Sequence, residues 1–294
     1  MTGSKSSFSD LLSDWERDGF FVIKELLSQD DLILLRAQLF AIRNTARVQT
    51  GVRRVVVGSS QSPIIEKISG LAFTEGKFRD VAMSDKIKRL LKLIYPQSDG
   101  HLFRDVVVVK PARSGCRLSA HQDSAYWPVK PTNLCSFWIA LTDIKQENSP
   151  LVLIPGSHKR GVLPHSIWLF DRIKFPKTFL RVLMAVNARA GVGDNYQITG
   201  TGGVLSRVKL TLMGRLSRLS KLFFRLTDLA VSSEETSGAI QLHLTAGDAV
   251  VFHSCLVHGS TPNTSDVERI AAIFSYMPSE STIKGSLISD FPKL

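Results

Sequence analysis

Residues 104–123 read RDVVVVKPARSGCRLSAHQD. Val106 to Val109 is β-branched throughout, and branching at Cβ suits an extended, pleated backbone. Pro111 and Ser114-Gly115 then supply turn chemistry. The stretch ends on His121-Gln122-Asp123, where residues two apart in a strand share a face. Outward from here the same texture repeats. Ser136 to Thr142, Leu151 to Ile154, Ile240 to Leu244, Ala249 to Phe252 and Ile270 to Tyr276 are short and strand-like. Asn148-Ser149-Pro150, Pro155-Gly156, Ala246-Gly247-Asp248 and Pro262-Asn263 punctuate them. Short strands at such spacing predict a β-sandwich or barrel.

Upstream the pattern is helical. Leu11, Leu12 and Trp15 recur at helical spacing behind a cap at Ser7 or Ser9, and Asp18-Gly19 stops that helix. Phe20-Phe21-Val22-Ile23 is a buried strand by composition. Ser28 caps a second helix through Leu32, Leu35 and Leu39, and a third runs from Asp85 to Ile94, before Pro96. The first hundred residues are thus expected to be α-rich around at least one strand. The whole is mainly β with outer helices.

The chain has 294 residues, 44% of them hydrophobic and 21% charged. That excludes a disordered chain and leaves one large domain or two small ones. Nothing approaches the roughly 20 consecutive apolar residues of a membrane span. No apolar stretch follows Met1, so no secretory signal is expected. Cys116, Cys135 and Cys255 form no CxxC pair, which disfavours a disulfide framework or a thiolate zinc site and fits a reducing, cytoplasmic setting. The terminal Pro-Lys-Leu departs from a peroxisomal address at its first residue and is read as chance.

The net charge is +11, and Lys159 to Asp228 alone carries +10 of it. A local basic segment disfavours a nucleic-acid surface, which would spread its charge over the protein. Within this segment Gly191 to Gly203 reads as a flexible loop. Leu205, Val208, Leu212, Leu216, Leu219, Phe223 and Leu226 then mark an amphipathic helix up to Asp228, with Arg207, Arg215, Arg218, Lys221 and Arg225 opposite. The reading is a basic helical insertion at about 159–237.

Seven histidines are present. His121 is the informative one, because Asp123 shares its face. One more histidine would complete a two-His, one-carboxylate set that leaves positions open on a non-heme iron. His253 and His258 are the candidates, both following the strand that starts at Ala249. Arg269 opens the last strand, and a buried arginine there needs an anionic partner.

Taken in order, Trp15 to Ile23, His121-Gln122-Asp123, Trp138 to Leu141, Ile154-Pro155-Gly156-Ser157-His158, Gly247-Asp248, His258-Gly259-Ser260 and Arg269 resemble the phytanoyl-CoA dioxygenase family of Fe(II)/2-oxoglutarate oxygenases. The resemblance covers about residues 10–160 and 238–278. It implies a double-stranded β-helix, the cupin-like jelly-roll, as the core of a single domain spanning 1–294. It implies Fe(II) as cofactor, with 2-oxoglutarate and O2 as co-substrates. His121, Asp123 and His258 match the iron ligands, and Arg269 matches the residue that binds the far carboxylate of 2-oxoglutarate. Ser260 and Trp138 match further co-substrate contacts. His253 falls outside the matched positions and reads as a strand residue, and His158 as a structural turn residue.

Tyr126 and Trp127 are candidates for the substrate wall, with packing as the equal alternative. Lys110 is a candidate ligand contact or ion-pair partner. Because Asp123 is present, the resemblance favours hydroxylation over halogenation, while desaturation, epoxidation or cyclisation stay open. The substrate class is a small organic or lipid-like metabolite. Nothing in the resemblance accounts for the 88 residues between His158 and Gly247. Three readings stand for that basic segment. One is a solvated outer helix, the second a membrane-surface helix, and the third a dock for an anionic group such as CoA or an acidic carrier. A non-catalytic basic jelly-roll module is the alternative from a different class, and it leaves the triad and Arg269 unexplained.

Overall fold

The computed structural model describes residues 7–45, 50–59, 62–114, 117–127, 129–169, 227–283 and 288–294. Helix α1 (Phe8–Asp18) begins in a capping box. Ser7 accepts from the Asp10 amide while the Asp10 carboxylate accepts from the Ser7 amide. The box answers two amides the first turn leaves unpaired. Gly19 ends the helix at φ +81°, and a Cβ there would lie 2.3 Å from the His158 ring. β1 (Phe20–Ile23) follows, then α2 (Gln29–Asn44), which opens with the same device through Ser28 and Asp31. It runs five residues past Leu39, the last apolar position in the sequence reading.

β2 (Arg53–Ser59) and β3 (Ser62–Ser69) form an antiparallel hairpin. The sequence reading passed over it, although Val55-Val56-Val57 is a β-branched run of the same kind as Val106–Val109. The short α3 (Lys77–Ala82) was also missed, whereas α4 (Asp85–Ile94) has the expected bounds. The remaining strands are β4 (Gly100–Lys110), β5 (Leu118–His121), β6 (Val129–Lys130), β7 (Cys135–Ala140), β8 (Leu151–Leu153), β9 (Ser166–Leu169), β10 (Thr227–Ala230), β11 (Ile240–Leu242), β12 (Ala249–His253), β13 (His258–Ser260), β14 (Arg269–Pro278) and β15 (Thr282–Ile283).

All strand pairings among the described residues are antiparallel. A major sheet runs β1-β12-β7-β14-β4-β3-β2 and a minor sheet β11-β8-β13-β5. Alternation along β7 and β14 assigns their side chains to two cores. Phe137, Ile139, Ala272, Phe274 and Tyr276 pack outward with Leu32, Leu35 and Leu39 of α2, Phe78 of α3 and Leu90 of α4. Trp138, Ala140 and Ala271 face inward, with Val250 and Phe252 of β12 and Leu151 and Leu153 of the minor sheet. Burying each such leucine or phenylalanine contributes about 1.5–3 kcal/mol. Around β12, β7 and β14 the major sheet is therefore largely apolar on both faces, which is why these strands read as near-continuous hydrophobic runs. Two facing antiparallel sheets with helices outside the larger one are the expected jelly-roll.

Of the helix read over Leu205–Asp228, only Thr227 and Asp228 are described, and the described ends of the basic segment form short strands and 3-10 turns. β9 and β10 pair as a two-stranded ribbon, with Leu169 opposite Thr227. Single 3-10 turns flank the ribbon at Ser157–Arg160 and Ser233–Thr236, and Arg160 pairs with Glu235 across them. Thr227 and Asp228, read as the last turn of the amphipathic helix, lie in β10, where strand pairing overrides helical periodicity. The rest of that helix and the Gly191–Gly203 loop lie outside the described residues. Among the described residues no helix is long and apolar enough to cross a membrane.

Candidate metal centre

β5 ends at His121, and β13 begins at His258 directly opposite it in register. The two imidazole centroids are 4.4 Å apart. Gln122 continues the extended backbone at φ −117°, ψ 134°, so Asp123 returns to the His121 face although it already starts a 3-10 turn. That turn is tied down by Ser124, whose amide donates to the Ser254 carbonyl and whose hydroxyl donates to the Ser254 hydroxyl. The Asp123 Oδ1 atom lies 4.0 Å from His121 Nε2 and 3.8 Å from His258 Nε2. All three donor atoms fall within 4.8 Å of one another, and all three residues are buried.

The tautomers follow from the hydrogen bonds. His121 Nδ1 is 2.7 Å from the Ser119 carbonyl, and His258 Nδ1 is 3.0 Å from the Leu256 carbonyl. A carbonyl only accepts, so each Nδ1 carries the proton and each Nε2 lone pair is free to point at the shared space. Burial, and then the neighbouring His258, push the His121 pKa down to about 3. A neutral imidazole is the ligating form. The Asp123 Oδ2 atom accepts from Ser136 Oγ at 3.2 Å, and Ser136 Oγ is 2.9 Å from Ser275 Oγ. This donor set of two nitrogens and one carboxylate oxygen suits a divalent iron and leaves coordination positions for other ligands.

Arg269 opens β14 on the same inner face as Ala271. It is 2% exposed. Its Nε donates to the Ser149 carbonyl at 3.2 Å and its Nη2 to Ser149 Oγ at 3.4 Å, and the guanidinium carbon lies 5.3 Å from the Trp138 ring centroid. Burial alone pushes its pKa down to about 10, and no carboxylate pairs with it among the described residues. Lys110, opposite Arg269 in register, is also buried and donates to Ser260 Oγ and the Thr261 carbonyl, both at 2.8 Å. The Thr261 hydroxyl is buried without a partner. The buried guanidinium against the Trp138 ring, with no carboxylate partner among the described residues, suits the reception of an anion.

β7 links the two halves. Ser136 touches Asp123, and Trp138, two residues on and on the same face, underlies Arg269. Two strand residues span about 7 Å. That is the scale of a five-carbon dicarboxylate.

The remaining predicted residues separate. Tyr126 stands edge-on to His121 with ring centroids 5.5 Å apart. Trp127 turns away into a satellite cluster with Val129, Leu134, Met277 and Phe103. His253 packs between Trp15 and His158, and its Nδ1 accepts from the Cys255 amide. The structure thus brings His258, and not His253, to His121 and Asp123. Sequence reasoning missed Ser136, Ser275, Ser149 and His165. His165 is 1% exposed near the triad, but its Nε2 accepts from the Gln122 amide and its Nδ1 donates to the Leu163 carbonyl, so it holds the backbone.

The profile of the family described as Phytanoyl-CoA dioxygenase (PhyH) matches residues 15–271. The chain belongs to the phytanoyl-CoA dioxygenase family. It is 26% identical over 287 residues to the peroxisomal phytanoyl-CoA dioxygenase of Rattus norvegicus, covering 92% of this chain and 70% of that one. It spans 62% of the human relative. An ectoine dioxygenase of Stutzerimonas stutzeri (strain A1501) is 29% identical over 158 residues, covering 52% of this chain and 51% of that one. Among solved structures, the non-heme alpha ketoglutarate dependent carbocyclase SnoK from nogalamycin biosynthesis superposes with a TM-score of 0.63 at 16% identity, covering 99% of this chain and all of that one. This likeness is one of fold. Family members use iron and 2-oxoglutarate, and the donor set and anion receptor described above fit both.

Two expectations follow for stability. Gln122 is fully buried, donates to the Cys255 and Gly161 carbonyls and accepts from the Leu163 amide. Gln122→Ala strands these groups and is expected to cost about 1–3 kcal/mol or more, read as a lower urea midpoint of the apo-protein. The second expectation concerns acid. Burial depresses His121 to about 3 and His253 to about 4, and it lowers His158 and His165. The unfolded chain binds protons from about pH 6.5 downward, before the folded one does. Their contribution is therefore complete above pH 6.5 and lost as pH falls towards the folded values. His121 and His253, the two most strongly shifted, each remove up to about 1.4 kcal/mol per pH unit in that window. Urea midpoints at pH 7 and pH 5 check this, and equal values would refute it.

Proposed function

We propose that this chain is an Fe(II)- and 2-oxoglutarate-dependent dioxygenase that hydroxylates a C–H bond of a small organic or lipid-like metabolite, with release of succinate and CO2. His121, Asp123 and His258 hold the iron. Arg269 binds the far carboxylate of 2-oxoglutarate, flanked by Lys110, Ser260 and Trp138. The observation that carries this reading is the pairing of a buried, neutral His–Asp–His group with a buried guanidinium that has no carboxylate partner among the described residues.

Iron with 2-oxoglutarate and dioxygen supplies the oxidising power for C–H attack. The chain's own part is geometric. The Ser119 and Leu256 carbonyls fix the imidazoles, Ser136 fixes the carboxylate, and Trp138 and Ser149 aim Arg269. Apolar residues of both sheets keep bulk water from the site. The edge-on contact of Tyr126 with His121 supports a part for it in the substrate wall. With Asp123 supplying the carboxylate, three side chains would hold the iron, which supports oxygen insertion over halogenation.

We take the basic segment as an insertion within one domain whose charged face meets solvent, an anionic surface, CoA or an acidic carrier. Two free, buried cysteines, Cys135 and Cys255, suit a reducing compartment such as the cytoplasm.

The test is an anaerobic titration of the apo-protein with Fe(II), then 2-oxoglutarate, watched for the weak visible charge-transfer band of a chelated 2-oxo acid. Its appearance, and its loss in His258→Ala, supports the site. Its absence in folded, iron-loaded protein overturns the reading. Once a substrate is found, a product that gains one oxygen atom supports hydroxylation. Loss of two hydrogens instead means desaturation or cyclisation.

A further inference from the structure

The inner face of the major sheet is apolar along β7 and β14, with Trp138 and Ala140 on one strand and Ala271 and Ile273 on the other. Two hydroxyls interrupt it. Ser136 and Ser275 stand opposite each other in register, 0% and 1% exposed. Hydroxyls taken out of water cost free energy unless they are bonded. These two are 2.9 Å from each other, and Ser136 is 3.2 Å from Asp123 Oδ2. The carboxylate only accepts, which sets the direction of the chain. Ser275 donates to Ser136, and Ser136 donates to Asp123.

The other carboxylate oxygen, Oδ1, is the one that faces both Nε2 atoms. Among the described residues, the Ser136 hydroxyl is the hydrogen-bond donor to Oδ2.

We propose that Ser136 and Ser275 are positioning residues that commit Asp123 to binding metal through Oδ1 alone. By holding Oδ2 back they keep the carboxylate from closing over a second coordination position, which the co-substrate and dioxygen need. The inference rests on the reading of His121, Asp123 and His258 as metal ligands. Hydroxyl relays behind a ligating carboxylate orient it and raise affinity, and loss of such a partner typically costs 10–100-fold in metal binding.

The test uses Co(II) as probe, on the full chain and without oxygen. Binding isotherms and the visible Co(II) spectrum are recorded for wild type, Ser136→Ala and Ser275→Ala. Ser136→Ala is expected to weaken Co(II) binding about 10–100-fold and to change the spectrum, as the carboxylate turns to offer both oxygens. Ser275→Ala keeps the donor to Asp123 and is expected to give a smaller loss in the same direction, and it decides the question if Ser136→Ala does not fold. A structural role alone would lower the melting temperature and leave the spectrum of the bound metal unchanged. Wild-type affinity and spectrum in both variants overturn the proposal while leaving the triad standing. Undiminished Co(II) binding in His121→Ala and His258→Ala overturns the triad, and this proposal with it.

Discussion

Replacing Asp123 by alanine is expected to abolish turnover and to weaken Fe(II) binding by more than about a hundredfold, because even a residue one step removed from the metal is worth 10–100-fold. The carboxylate supplies the only negative charge of the donor set. Without it two neutral imidazoles face a dication in a buried space, and nothing offsets the lost hydration of the ion. His121→Ala removes one of only two nitrogen donors and should be equally inactive. Metal content after gel filtration and succinate release from 2-oxoglutarate read the two effects separately. A variant at either position that retains full activity would refute the ligand assignment.

The second large effect belongs to Arg269. Truncation to alanine leaves the far carboxylate of the co-substrate facing an apolar face with Trp138, and removing one partner of a buried, hydrogen-bonded charge pair costs about 2–5 kcal/mol. That corresponds to a rise of roughly 30-fold to several-thousand-fold in the 2-oxoglutarate dissociation constant. Iron binding should be unchanged, since Arg269 does not touch the triad. Arg269→Lys is expected to lie between the two, keeping the charge but losing the planar fork that two carboxylate oxygens require. Lys110 is opposite in register and cannot substitute, because its ammonium is already committed to Ser260 and the Thr261 carbonyl. Titration of the charge-transfer band with 2-oxoglutarate measures the effect, and an unchanged half-saturation would remove Arg269 from this role.

Local pattern carried the sequence reading as far as local physics decides structure. His121 and Asp123 were legible as a pair because Gln122 stays extended, and a two-residue period survives the end of β5. The choice between His253 and His258 was not decided by the residues themselves. Both come after the same apolar run, Ala249 to Phe252, and the difference lies in which one sits opposite β5. That is a matter of long-range register, and the residues gave it only through their likeness to a family. Arg269 was readable as buried because it opens an apolar run. Ser149 was visible only as a turn residue, and its role depends on a contact 120 positions away. Ser136 and Ser275 could have been suspected, as lone hydroxyls inside buried strands, but their partner is set by the packing of the two sheets. The hairpin of β2 and β3 was missed for a simpler reason. Its valine run was present, and the helical texture around it drew the reading away. In the basic segment a strong helical period extended on paper to Asp228, where pairing with β9 decides otherwise.

The ribbon of β9 and β10 has a consequence for how this protein can change over generations. Leu169 and Thr227 are cross-strand neighbours, so the chain leaves and re-enters the barrel through a gap about 5 Å wide. The 57 residues between those positions leave and return at one pair of neighbouring strand ends, and closing a longer loop from that root costs only about 0.6 kcal/mol per doubling. A change of length there is thus cheap at the point of attachment, and the register of β9 with β10 can stay as it is through many such changes.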